Sequence, residues 1–457
     1  MMDTVAAARA VGGTALGPAA MFMRVTTDSR AIAPGDLFVA LAGERFDGHD
    51  YVDAALAAGA AAAMVSDARA PALNGSLIAV ADPQAALGAL ARHWRARFDL
   101  PVVAVVGSNG KTTTKEMIAA IFREAVGESQ VLATRGNFNN AIGLPLSLLR
   151  LNDAHRLAVV EIGMNHRGET AELAAIARPT VVVVTNAQRE HQEFMRSVDD
   201  VAREHADAIA ALRGSGTAIV NADDEFADVW RAAARAAGAT VLDFGLARRA
   251  AVAARYTPRD DGGELELTTP HGDAAVSLAV PGRHMAANAL AAAAASVAAG
   301  IDLSAVARGL AAFRAVGGRL VVRTLASGVR IIDDTYNANP DSVRAAIDVL
   351  ALSPGSRRLA LGDMGEVGAQ GPEFHREIGA YARTAGVTHL YAVGDATPAT
   401  VAAFGAGARH FVHAEALAAA LAADVRAGDT VLVKGSRFMR MERVVATLAG
   451  TPAEGAH

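Results

Sequence analysis

Short apolar runs, each bounded by Gly, Pro, Asn or Asp, alternate along this chain with longer alanine-rich stretches. Runs of that length read as strands buried on both faces, and the stretches between them as helices. The pattern therefore predicts an α/β protein of βα units wrapped around parallel sheets. Strands are expected over residues 102–106, 157–162, 180–185, 218–220, 329–332, 359–361, 389–393 and 430–433. A polar, glycine-rich stretch over 256–273 reads as a β-hairpin or a surface excursion. Two junctions break the alternation. At 98–101 a long helix gives way to a proline before a new strand, and at 313–318 a helix gives way to a pair of glycines.

The longest apolar stretch, 285–301, is mostly alanine and contains Asn288. Alanine favours a helix but contributes little transfer energy into lipid, so a buried helix is expected and not a membrane span. Residues 1–20 carry Asp3 and scattered Ala and Gly where a secretory signal needs a strongly apolar run, which points to the cytoplasm.

Composition narrows the classes. The chain has 457 residues, enough for roughly three domains at about 150 residues each. With 52% hydrophobic and 20% charged residues it offsets its ordering entropy by burial, so disorder is excluded. The absence of cysteine removes disulfides, thiolate nucleophiles and Cys-ligated metals, and fits a reducing compartment. A net charge of −5 offers no bulk attraction to nucleic acid or anionic lipid. Of 43 basic residues only Lys111, Lys115 and Lys434 are lysines, the other 40 being arginine. Where arginine serves for almost every cation, a surviving lysine marks a candidate need for a compact ammonium.

The first of these sits in a telling place. After the strand at 102–106 come Gly107-Ser108-Asn109-Gly110-Lys111-Thr112-Thr113 and a helical stretch. Glycines let backbone N–H groups converge on phosphates, and the helix N-terminus adds a favourable dipole. Lys111 can reach the β- and γ-phosphates of ATP, and the Thr112 hydroxyl can ligate Mg²⁺. The loop is shorter than the usual G-x-x-x-x-G-K-S/T, with Val105 where the first glycine would stand. Two more residues suit a metal–nucleotide site. Glu161 closes the strand at 157–162, and strand carboxyl ends are where open α/β sheets bind ligands. His191 follows the strand at 180–185 in Asn186-Ala187-Gln188-Arg189-Glu190-His191. Taken singly, each has a bland alternative, a capping carboxylate for Glu161 and a surface histidine for His191. Gly362-Asp363-Met364-Gly365 has the wrong spacing for a dinucleotide fingerprint, and no H-E-x-x-H or G-x-S-x-G occurs.

The phosphate loop, Gly136-Asn137-Phe138-Asn139-Asn140, Glu161-Ile162-Gly163-Met164-Asn165, Gly282-Arg283-His284-Met285-Ala286-Ala287-Asn288 and Lys434-Gly435-Ser436-Arg437 resemble, in that order, the signature of the Mur ligases, ATP-dependent amide ligases of peptidoglycan precursor synthesis. The resemblance runs from about residue 26 to about residue 448. Within the family, Asp333-Asp334-Thr335-Tyr336-Asn337-Ala338-Asn339-Pro340, the 362–368 segment, and Thr27-Asp28-Ser29-Arg30 are similar to the branch that adds D-alanyl-D-alanine to UDP-N-acetylmuramoyl-tripeptide. The D-N-P-R motif of the branch that adds meso-diaminopimelate is missing.

The resemblance implies three domains: residues 1–98 for the UDP end of the substrate, 99–314 as the central P-loop ATPase, and 315–457 as a Rossmann-like module for the amine substrate. It implies that the tripeptide carboxylate takes the γ-phosphoryl group of ATP, and that the amine then displaces phosphate from the acyl phosphate. Carried over residue by residue, Asp28, Ser29 and Arg30 match the uridine-diphosphate contacts, and Asn137 and Asn140 the segment near the muramoyl and phosphate groups. Thr112, Glu161 and His191 match the Mg²⁺ site. Gly107 to Thr113 together with Asn288, Arg319, Asp334, Tyr336, Asn337 and Asn339 match the ATP site, and Lys434, Ser436 and Arg437 the segment facing the amine. A monomer without membrane insertion is expected.

One departure stands out. Many Mur ligases carbamoylate a central-domain lysine, yet no lysine lies between Lys115 and Lys434. Glu204, Asp207 or His205 is expected to serve there instead. Two rival readings remain at this point, a Mur-type ligase adding a single amino acid to a muramoyl peptide or to folate, and a non-catalytic P-loop switch.

Overall fold

The computed structural model describes residues 1–44, 46–190, 192–212 and 216–451. Among the described residues, three large sheets follow one another along the chain, besides a two-stranded pairing of Met2–Asp3 with Met21–Phe22. The first has five strands in the order Thr14–Leu16, Leu77–Val80, Ala62–Ser66, Asp36–Val39 and Arg24–Thr26, parallel except for the first. The second, of nine strands, centres on Val102–Val106, with Leu157–Glu161 and then Val131–Ala133 on one side. On the other side lie Val181–Val184, Thr217–Asn221 and Thr240–Gly245, all parallel. The third has Arg330–Asp334, Thr430–Lys434, Arg357–Gly362, His389–Val393 and Ala408–Phe411 in parallel, with Val321–Thr324 antiparallel at the edge.

All eight expected strands are present, most of them longer or shorter by a residue or two at their ends. The 256–273 stretch is more than a hairpin. It forms the core of a three-stranded antiparallel extension, Val252–Arg259, Gly262–Thr269 and Gly272–Leu278, which widens the central sheet. The alanine-rich stretch is the helix Arg283–Ala298, buried along nearly its whole length. No helix among the described residues is long and apolar enough to cross a membrane.

Side chains of a strand alternate between the two faces of its sheet, and the central strands use both. Val103 and Val105 join the core beneath Arg283–Ala298 and Lys111–Val126, which continues into the third sheet through Ile332, Leu359 and Leu432. Val102, Ala104 and Val106 join the opposite core, shared with Leu87 and Leu90 of the helix Pro83–Arg95 and with Leu37 and Met64 of the first sheet. Trp94 Nε1 adds a hydrogen bond to the Leu151 carbonyl at 2.9 Å, fixing the first module to the second.

The strand order decides where a ligand fits. From Val102–Val106 the chain crosses to one side of the sheet and later to the other, so the crevice at the carboxyl end of that strand is a topological switch point.

Candidate active site

At that switch point the chain turns through Gly107, with φ of +132°, to Gly110, with φ of +84°, and enters the helix Lys111–Val126. Neither glycine has room for a side chain: a Cβ on Gly107 would stand 2.0 Å from Thr185 Oγ1, and one on Gly110 2.3 Å from Asn288 Oδ1. Asn288, a helix-internal polar residue by sequence, is thus the wall against which the loop closes. Lys111 Nζ folds back onto the loop, donating to the Ser108 carbonyl at 3.0 Å and to that of Gly107, with Glu190 Oε2 at 3.4 Å. Thr112 and Thr113 begin the helix and are buried.

Beside the loop a cavity of about 800 Å³ opens between the carboxyl edges of the second and third sheets. Ser108 to Thr113, Asn140, Glu161 and Asn288 line it from the central module. Arg319, Asp334, Tyr336, Asn337, Asn339 and Lys434 line it from the third. The fold thus brings together most residues expected at the nucleotide.

Glu161, 2% exposed, ends its strand inside this cavity. Asn139 Nδ2 donates to its Oε1 at 2.7 Å, while Oε2 is buried with no hydrogen-bond partner among the described residues. A carboxylate oxygen buried without a donor is costly unless a cation meets it, and the nearby Thr112 hydroxyl is the other hard-oxygen ligand expected at this end of the loop. The donor set suits Mg²⁺. His191 lies outside the described residues.

On the opposite wall Arg319 stacks its guanidinium 3.8 Å from the centroid of Tyr336. Asp334 and Lys434 are register partners on adjacent strands, with Lys434 Nζ 2.5 Å from Asp334 Oδ2. Lys434 also donates to the Asn337 carbonyl, and Asp334 Oδ1 accepts from the Leu320 N–H. Both groups are therefore already engaged with each other. Nearby, His284 is held below its ordinary pKa by burial, which keeps its ring neutral.

Other expected residues sit elsewhere. Asp28 caps a 3-10 turn over Ser29–Ala31 in the first module and pairs with Arg30 through two bonds of 2.9 Å, away from the cavity. Those bonds hold the Asp28 carboxyl down to about 2. Asn137 does not line the cavity, whereas Asn140 Oδ1 accepts from the Ile142 and Gly143 N–H groups. Ser436 bonds the Ala338 carbonyl and the Gly365 N–H, and Arg437 is exposed with Glu442 at 3.3 Å. Lys115 is fully buried and donates to the Thr134 carbonyl, a structural role.

Three comparisons place this arrangement. Residues 22–95 match the model described as Mur ligase family, catalytic domain; 105–296 match Mur ligase middle domain; and 318–437 match Mur ligase, glutamate ligase domain. The UDP-N-acetylmuramoyl-tripeptide–D-alanyl-D-alanine ligase of Escherichia coli is 41% identical over 93% of each chain. The chain belongs to the Mur ligase family. Among solved structures, MurF from Acinetobacter baumannii superposes with a TM-score of 0.90 at 32% identity, covering 98% of this chain and 99% of that one. The MurF ligase of Thermotoga maritima in complex with ADP gives 0.81 at 28%, covering 93% and 97%.

The chain has no lysine between Lys115 and Lys434 to be carbamoylated. Of the three residues expected to stand in for the missing lysine, none lines the cavity. Glu204 accepts from the Gly168 and Thr170 N–H groups and so caps the helix Glu169–Ala177. The carboxyl of Asp207 is raised by burial first and then by neighbouring Glu204. His205 is the one that approaches the loop, its Nε2 3.4 Å from Glu190 Oε1. Asn139, Gln188, Arg189 and Glu190 were not singled out from sequence. All four lie inside motifs read for a neighbour, and residue spacing in a loop does not say which side chain turns inward.

Proposed function

We propose that this Mur ligase joins D-alanyl-D-alanine to UDP-N-acetylmuramoyl-tripeptide, forming UDP-N-acetylmuramoyl-pentapeptide, ADP and phosphate. The observation that carries the reading is a phosphate loop opposed, across one cavity, by Arg319 and the Asp334–Lys434 pair of the third module, in a chain 41% identical to a ligase of that name. A carboxylate is a poor acyl donor until its oxygen becomes part of a phosphate leaving group. The tripeptide carboxylate attacks the γ-phosphorus, the bond to the β-phosphate oxygen breaks, and ADP leaves. The dipeptide amine then adds to the acyl phosphate carbonyl, loses a proton, and the tetrahedral intermediate expels phosphate.

Each module has its part. Lys111 exchanges its loop carbonyls for β- and γ-phosphate oxygens, and the loop amides and Asn288 hold the rest of the nucleotide. Arg319, which no carboxylate neutralises among the described residues, faces the transferring phosphoryl group from the opposite wall. Glu161, with Thr112 and His191, would hold Mg²⁺, which neutralises charge on the phosphates when bound. Asp28, Ser29 and Arg30 take the UDP end, with Asn137 and Asn140 nearer the muramoyl group. On the amine side, Asp334 neutralises Lys434, and Arg437 beside Ser436 would meet the dipeptide carboxylate by exchanging its exposed partner Glu442 for it. We assign the UDP-binding, ATPase and amine-binding parts to residues 1–98, 99–314 and 315–457. We take the chain to act as a monomer. A cytoplasmic setting suits a cysteine-free enzyme that consumes ATP.

Phosphate release with ATP, Mg²⁺ and UDP-N-acetylmuramoyl-tripeptide, with D-alanyl-D-alanine or single amino acids added in parallel, tests the reading. Release that depends on the dipeptide is expected. Release only with a single amino acid and a shorter acceptor would move the chain to another branch, and no release with any pair would leave a nucleotide-binding protein without ligase activity.

A further inference from the structure

In the segment after the strand Val181–Val184, three consecutive side chains part in two directions. Gln188 and Glu190 turn to the phosphate loop. Gln188 Oε1 accepts from Asn109 Nδ2 at 2.7 Å, the Gln188 N–H donates to the Ser108 hydroxyl at 2.9 Å, and Glu190 lies 3.4 Å from Lys111 Nζ. Arg189, between them, turns to the third module. Its backbone N–H donates to Asp341 Oδ2 at 2.9 Å, and its guanidinium reaches Asp341 at 2.6 Å and Glu377 at 2.6 and 3.1 Å. The ring of Phe374 lies 5.1 Å from the guanidinium carbon.

Asp341 stands in the first turn of the helix Pro340–Ala351, and Glu377 in the helix Gly371–Thr384. Asn339, which caps the first of these helices, bonds Asn109 in return. A closed circuit thus runs from Asn109 by hydrogen bond to Gln188, along the backbone to Arg189, by ion pair to Asp341, and along the start of its helix to Asn339, which bonds Asn109, crossing between the modules twice. Only 22% of the Arg189 side chain is exposed, so a carboxylate lost from its clasp would not simply be replaced by bulk water.

We propose that Arg189 is a positioning residue: its capture by Asp341 and Glu377 couples docking of the third module to the setting of the phosphate loop, so that nucleotide is gripped fully only when the amine-binding module is in place. For its reaction the proposal rests on the ligase reading; for the coupling it rests on the circuit alone. Burial opposes the charge on Arg189, yet its bonds to Glu377 and Asp341 raise its pKa and keep it a cation throughout.

The test compares the full chain with Arg189→Met, Asp341→Asn and the double variant, with Glu377→Gln as a shape-preserving check on the same clasp. ADP affinity is measured by titration calorimetry, the radius of gyration by small-angle scattering with ADP, and kcat and KM for ATP by phosphate release. Arg189→Met is expected to weaken ADP binding and raise the ATP KM about ten-fold, with a larger radius of gyration than native. Asp341→Asn, expected to act in the same direction, should add little in the Arg189→Met background. Arg189→Lys should recover part of the loss. ADP affinity within about two-fold of native in the single variants, strictly additive effects, or an unchanged radius of gyration would each overturn the proposal. If native protein releases no phosphate with any acid–amine pair, the ligase reading fails, and ADP affinity with the double-variant comparison still decides the coupling. Should Arg189→Met not fold, Asp341→Asn and Glu377→Gln carry the same comparison.

Discussion

Asn109 in the phosphate loop and Asn339 at the head of the helix Pro340–Ala351 hold one another by a reciprocal pair of amide hydrogen bonds, 3.0 and 3.3 Å long, across 230 positions of sequence. An amide carries a donor and an acceptor on separate atoms, so two asparagines can exchange a pair of hydrogen bonds, which an ionised carboxylate, having no donor, could not. Asn339 also accepts from the Ser342 N–H at 2.8 Å in a reciprocal capping box. One side chain therefore starts a helix and touches the nucleotide loop.

Those two tasks separate by substitution. Asn339→Ala is expected to lose both, lowering stability by about 1 kcal/mol and weakening ATP binding. Asn339→Asp keeps the cap but replaces the donor toward Asn109 with a second acceptor, so stability should hold while the ATP KM rises several-fold. Chemical denaturation and steady-state kinetics on both variants check this. Equal ATP KM values in native and Asn339→Asp protein would refute the link.

Asn139 holds one oxygen of the cavity-lining Glu161 and leaves the other, buried oxygen without a partner among the described residues. Groups that orient a metal ligand typically account for about 10- to 100-fold in metal affinity. Asn139→Ala should raise the Mg²⁺ concentration needed for half-maximal ATP turnover by a factor in that range. The check is a Mg²⁺ titration at saturating ATP, and a midpoint equal to native would contradict the assignment.

Asp334 neutralises a lysine that is 3% exposed. Asp334→Asn keeps the shape and leaves a buried ammonium without a counter-charge, a change that typically costs about 3–5 kcal/mol. The unfolding midpoint should fall accordingly, with the Lys434→Met/Asp334→Asn double variant recovering much of the loss. A fall of under about 1 kcal/mol would mean that Lys434 finds another anion.

Bonds from Arg189 hold the Glu377 carboxyl below its usual range, against the effect of burial. A depressed carboxyl contributes stability that is present above its unfolded pKa and lost as pH falls through the folded value. The difference in melting temperature between native and Glu377→Gln protein should be constant above about pH 5 and shrink below about pH 4. A difference that instead grows on acidification would reverse the sign and exclude this pair as its source.

The eight strands were legible because short apolar runs bounded by turn residues have few other stable uses, and the phosphate loop was legible because Gly107, Gly110 and Lys111 carry out their chemistry within a few residues of each other. Glu161 was legible as the polar end of an apolar strand. Asn139 and Arg189 were not. Their partners, Glu161, Asp341 and Glu377, lie on other elements, and local spacing carries no information about which loop side chain turns inward.

The sequence by itself determined the α/β class, the order of the modules, the nucleotide loop and the family resemblance, since each rests on periodicity or on motifs contiguous in the chain. Only the tertiary structure decided that Lys434 is neutralised by Asp334, that Glu204 caps a helix, and that Arg189 spans two modules. Those outcomes depend on register between strands and on the approach of elements up to 188 positions apart, where pairing is set by packing of the two sheets and no local pattern encodes it.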